Sequence, residues 1–131
     1  MSARHAKSME QLILEDGRYP PEAYGFLHEG LGLAVRQVHG GQTGSPEQRH
    51  VTGRQLCLVL RDLALERWGQ LAPAVLGKWN IRNTLDFGNM VYLLADAGYM
   101  KVSETDSIDD FRDVYDFQEM FGGEGEFDLK E

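Results

Sequence analysis

A few side chains of this chain stand out as candidates for acid, base, nucleophile or metal-ligand chemistry. They are His5, His28, His39, His50, Cys57 and a block of carboxylates near the end. No two histidines stand at the i, i+4 spacing that puts two imidazoles on one helical face. A metal site from His39 and His50 would require the loop between them to fold back, so exposed loop histidines are the simpler expectation. Cys57 sits between Leu56 and Leu58 in the most apolar run of the chain. Burial there raises a thiol's pKa and makes it inert, whereas a nucleophile needs partial exposure and a positioned base. Gly40-Gly-Gln-Thr-Gly-Ser45 has the glycines of a phosphate loop but lacks its lysine, and no apolar strand leads into it. Glu104, Asp106, Asp109, Asp110, Asp113 and Asp116 could gather a hard cation, yet the Asp-x-Asp-x-Asp-Gly loop and its closing Glu are missing. A solvated acidic face is the simpler expectation. The residues therefore predict no catalytic site, no metal and no cofactor.

The chain has 131 residues, 42% of them hydrophobic and 26% charged, a globular balance that fits one domain. No run approaches the roughly 18 apolar residues of a membrane span. The start, Met1-Ser-Ala-Arg-His-Ala-Lys-Ser8, lacks the apolar core of a secretory signal. A single cysteine rules out an internal disulfide framework. These features predict a cytoplasmic protein with no membrane contact.

Charge is unevenly placed. The net charge is −8, and residues 103–131 hold eleven acids against Arg112 and Lys130. The rest of the chain is nearly neutral. Such a segment repels a polyanion unless it folds away from the contact surface, which disfavours nucleic acid as a partner.

The elements that would position these groups read as helices. Ser8-Met-Glu-Gln11 and Thr52-Gly-Arg-Gln55 are capping boxes, opening helices over about 9–15 and 52–68. Pro21 suits a first helical position, and Ala23, Leu27, Leu31, Ala34 and Val38 recur along one face of a helix over about 21–38. Gly25, Gly30 and Gly32 inside it predict a close approach by another element, ahead of a backbone surface for a ligand. The helix over 52–68 is apolar on two sides, with Leu56, Leu60 and Leu63 on one and Leu58 and Leu65 on the other, so it should be central. A shorter helix over 71–79 follows, then one over 84–97 capped by Asn83 or Thr84, with Phe87, Met90, Val91 and Leu94 inward. Gly98 suits the helix stop, and Met100-Lys-Val102 has room for one short strand. Ser107 and Asp110 predict a further cap and an acidic helix through about Phe121.

Helix, short helix, turn, helix and an extended segment is the order of a winged helix-turn-helix. The third helix carries Asp86, Asn89, Tyr92 and Asp96 and no base, which suits a protein partner better than DNA. Phe111, Val114, Phe117 and Phe121 follow a helical period, with Tyr115 beside them. This stripe either completes the core, the reading favoured for so short a chain, or docks into a partner's groove.

The segments Leu14-Glu-Asp-Gly-Arg-Tyr19, His50-Val-Thr-Gly-Arg-Gln-Leu56, Asp86-Phe-Gly88 and Asp113-Val-Tyr-Asp-Phe117 together resemble a small family of uncharacterised bacterial proteins of the planctomycete and verrucomicrobial lineages. The likeness spans about 12–121. It implies a bacterial, cytoplasmic protein, and brings no activity, cofactor or site residue with it.

The expected fold is mainly α: one small helical domain over 1–121, with loop 39–51, a winged-helix-like three-helix core, at most one short hairpin and a C-terminal acidic helix, then a flexible acidic tail over 122–131. The expected function is a non-enzymatic protein–protein interaction or adaptor module, with Tyr92, Asp109, Asp110, Asp113, Tyr115 and Phe117 at the contact. A nucleic-acid-associated regulator, inhibited by its own acidic tail, is the alternative; it would use Arg49, Arg54, Arg61, Arg82 and Lys101. An enzyme built on the Gly-rich loop and His39 or His50 ranks third, and a homodimer is open.

Overall fold

A computed structural model of the chain describes residues 7–39 and 50–122, with the side chain of His39 left aside. Five α-helices lie within them: α1 Met9–Asp16, α2 Pro21–His39, α3 Gly53–Trp68, α4 Ala72–Lys78 and α5 Thr84–Asp96. A 3-10 turn, Gly69–Leu71, joins α3 to α4, and short helical turns follow at Ile108–Phe111 and Gln118–Gly122. The protein is a mainly helical domain, as the patterning requires.

The caps form as the sequence predicts. The Ser8 hydroxyl accepts from the Gln11 N–H at 3.1 Å, and the Gln11 side chain accepts from the Ser8 N–H at 2.9 Å. Thr52 and Gln55 repeat this at α3; at α5, where the sequence left Asn83 or Thr84 as the cap, Asn83 takes the role and pairs with Asp86. Each pair satisfies two N–H groups that a helix start leaves without partners. At the far end of α5, Gly98 adopts φ +88°, and the Tyr99 N–H reaches back to the Leu94 carbonyl at 2.8 Å. That left-handed residue is cheap for glycine and costly for others.

α3 is the spine. Leu56, Cys57, Val59, Leu60, Leu63 and Ala64 are all buried. Its principal neighbour is α2, whose Ala23, Tyr24, Phe26, Leu27 and Ala34 are buried. Gly30 lies where the two helices cross: a Cβ there would fall 2.2 Å from Leu60 Cδ2. Close approach is thus the role of Gly30 alone, since a Cβ at Gly25 would meet nothing within 4 Å and one at Gly32 only the tip of Arg36. Leu65, expected inward, is 38% exposed, and so is Val38; the second apolar side of α3 is only partly covered. Phe26, Trp68 and Trp79 close the opposite end of the core, with ring centroids 5.2–5.8 Å apart.

Two expectations change. Met100–Val102 forms no strand, and among the described residues there is no strand for it to pair with; a lone extended segment has no ladder to make it one. The acidic segment is not one helix but a strap of two separate helical turns. Its Ser107–Asp110 capping box forms, yet the chain leaves the helical path at Arg112 (ψ 130°) and takes a positive φ of 50° at Asp113. Burying Phe111, Tyr115 and Phe121 together against a curved body overrides a modest helical preference. Three helices, α3, α4 and α5, follow one another in the middle of the chain, and among the described residues no strand follows them as a wing.

Alkali should expose this burial. Burial, then the hydrogen bond to Asp86, raises Tyr19 to about 12; burial raises Tyr24 and the Cys57 thiol to about 12, and Tyr115 further still. The unfolded chain ionises these groups at ordinary values of 10.0 for tyrosine and 9.0 for cysteine. The folded state therefore holds protons that the unfolded state releases, so stability is full below pH 9 and falls as pH rises toward 12. The melting temperature should drop clearly between about pH 8 and about pH 11; an unchanged midpoint would contradict the burial described.

Candidate functional site

The acidic strap is fastened to the body by its aromatic residues. Phe111 is 4% exposed and sits between two glycines: a Cβ at Gly53 would lie 2.8 Å from its ring, and one at Gly88 would lie 2.9 Å from its Cβ. The Thr84 hydroxyl, fully buried at the start of α5, donates to the Phe111 carbonyl at 2.6 Å and accepts from the Val114 N–H at 3.2 Å. The Tyr115 hydroxyl donates to the Cys57 carbonyl at 2.8 Å, and the Tyr115 ring stacks on Phe117 at 5.8 Å. Phe117 also contacts Phe87 and Phe121. Core completion is thus the role of the aromatic stripe. Tyr115, named above as a contact residue, is corrected to a buried one, and Phe117 is half-buried among aromatic rings.

Between the strap and the helices lies a cleft of about 640 Å³, within the usual range for binding sites. α2 contributes Leu31 and Val35, the entry into α3 Val51, Thr52, Gly53 and Leu56, and α5 Val91 and Tyr92. The segment 100–111 closes it with Met100, Val102, Glu104, Asp106, Asp110 and Phe111. Most of this lining is apolar. His50 Nε2 stands 3.1 Å from Asp106 Oδ1, while Asp106 Oδ2 accepts from the Ser103 N–H at 2.8 Å. The Tyr92 hydroxyl is buried without a hydrogen-bond partner among the described residues. Burial first, then the carboxylates of Asp106, Asp110 and Asp96, holds its proton more tightly than an ordinary phenol does. A buried donor left unpaired costs about 1–3 kcal/mol.

Three of the sequence-predicted residues meet here: Tyr92, Asp110 and Lys101. Asp110 also serves the fold, because its carboxylate accepts from the Ser107 N–H at 3.1 Å. Asp109 is exposed and paired with Arg112 at 2.6 Å. Asp113 lies in a second groove of about 450 Å³ with Asp116, Tyr115 and Phe117, and Arg82 faces into the same groove. Among the nucleic-acid candidates, Arg54 is exposed on α3 and Arg61 pairs with Asp62 at 2.9 Å. Lys101 and Arg82 each share a cavity with two or more carboxylates, and Arg49 lies outside the described residues, as does most of the expected tail. The bases are divided between two cavities and a helix face, with acids beside three of them.

Leu31, Val35 and Met100 had no local signal as site residues, and nothing in the sequence paired His50, weighed with His39, with Asp106, weighed among the acids. His50 and Asp106 are 56 positions apart, a separation that no helical or strand period reports. The Ser103 hydroxyl is engaged with Thr105 Oγ1 at 3.0 Å, and the Cys57 thiol is buried. Among the described residues no three His, Cys, Asp or Glu side chains gather as a metal site, and no helix is long and apolar enough to cross a membrane. No protein family, curated protein or solved structure matches this chain, so its own geometry must carry the functional argument.

Proposed function

We propose that this protein is a non-enzymatic interaction module of the adaptor type, working in a bacterial cytoplasm, and that its contact surface is the cleft under the acidic strap. The observation that carries this reading is the cleft itself: an apolar cavity in which a buried hydroxyl lacks a partner among the described residues, fixed in shape by Phe111 and Thr84. A preformed apolar site with a few polar groups is what specific binding uses, because little ordering is left to do on association.

The test is to isolate the tagged protein from its host with and without nuclease, beside a Val35→Trp variant that fills the cleft. One dominant protein that survives nuclease and is lost with the filled cleft is the expected result. A partner retained equally by the folded variant, or one released by nuclease, would overturn the assignment.

A further inference from the structure

The geometry points to a particular occupant for this cleft: a short extended segment of a partner protein, with an apolar anchor residue flanked by lysine or arginine. The inference rests on the cleft being the contact surface and adds what it recognises. Three independent features select this chemistry.

The first is unpaired backbone. Lys101 and Val102 lie on the lip of the cleft in chain that is neither helix nor strand. Their N–H and C=O groups make no hydrogen bond among the described residues. Next to them, the Ser103 N–H is already taken by Asp106. A segment entering in extended form can hydrogen-bond to these groups through its own main chain, as backbone pairing does in extended-peptide recognition. A small molecule has no such repeat of donors and acceptors to offer.

The second is the apolar interior. Leu31, Val35, Leu56, Val91 and Phe111 line the floor, and Phe111 meets Tyr92 edge-to-face at 6.4 Å. Side chains of an extended segment alternate in direction, so one residue would point into this floor while its neighbours face the rim.

The third is the charge of the rim. Glu104, Asp106 and Asp110 face one lysine, Lys101. Asp106 is engaged by His50 and Ser103, whereas Glu104 is exposed and has no partner among the described residues. Residues beside the anchor therefore meet a negative edge, which favours basic side chains and raises their rate of encounter.

The experiment uses the full chain and two labelled peptides, read by fluorescence anisotropy. One alternates valine and lysine around a central phenylalanine; the other has glutamate for each lysine. The lysine peptide should bind at least about tenfold more tightly at low salt, a gap that narrows as salt screens the rim. In Glu104→Lys, an exposed change that leaves the fold alone, the preference should shrink severalfold. N-methylating the lysine peptide along one edge should weaken its binding by blocking main-chain pairing. Equal binding of the two peptides, or a preference untouched by Glu104→Lys, would overturn the charge assignment. Undiminished binding of the methylated peptide would overturn the extended mode. Dimerisation blocked by Val35→Trp would give the cleft to a second copy and overturn the inference. A cleft-dependent partner from the host, together with no binding of either peptide, would sink this inference while sparing the interaction reading on which it rests.

Discussion

Replacing Phe111 by alanine is expected to cost about 3–5 kcal/mol of folding stability, the usual loss for emptying a buried aromatic site. The ring is 4% exposed and held between Gly53 and Gly88, so the body cannot relax into the space without moving α3 or α5. The same residue's carbonyl accepts from buried Thr84, and losing the ring would loosen that bond as well. A domain of this size is stable by only about 5–15 kcal/mol, so the variant should unfold at a much lower denaturant concentration. A control separates the ring's fit from its hydrophobicity. Gly88→Ala puts a Cβ 2.9 Å from Phe111 Cβ and Cγ and should also destabilise; combined with Phe111→Ala, the two losses should be far from additive, as for residues in contact. A loss below about 1 kcal/mol for Phe111→Ala, or simple additivity, would mean that the strap is not anchored here.

Gly30→Ala and Gly25→Ala should move stability in opposite directions. Both glycines lie within α2, where alanine is favoured by about 1 kcal/mol if nothing else changes. Gly25 is exposed with no heavy atom within 4 Å of an added Cβ, so the substitution should stabilise by up to about 1 kcal/mol. At Gly30 the added Cβ would stand 2.2 Å from Leu60 Cδ2. Leu60 is completely buried, which leaves its methyl little room to retreat. Overpacking of this kind costs about 1–3 kcal/mol, more than the helical gain, so Gly30→Ala should destabilise. Trimming the obstacle in the pair Gly30→Ala with Leu60→Val should recover part of the loss. Equal effects at the two glycines in chemical denaturation would mean that α2 and α3 do not cross at Gly30.

What can be read locally was legible. Capping pairs three residues apart marked the starts of α1 and α3, and Phe87, Met90, Val91 and Leu94 are buried on the face that their period marks. The glycines show where local reading stops, because Gly25, Gly30 and Gly32 look alike until α3 is laid against them. The strap shows it again. Its capping box forms, but the helix it starts ends within a turn, because three aromatic rings find better burial along a bent path.

By itself the sequence determined that the protein is helical, where its helices begin, and that its net negative charge is concentrated in one segment. Periodicity, capping and net charge are properties of neighbours along the chain, and folding does not alter them. Only the tertiary structure decided that the strap turns its aromatics inward, that Phe111 wedges between two glycines, and that His50, Tyr92 and Asp106 face one cleft. Those contacts join residues tens of positions apart. Their positions follow from the shape of the whole core, which no window of sequence contains.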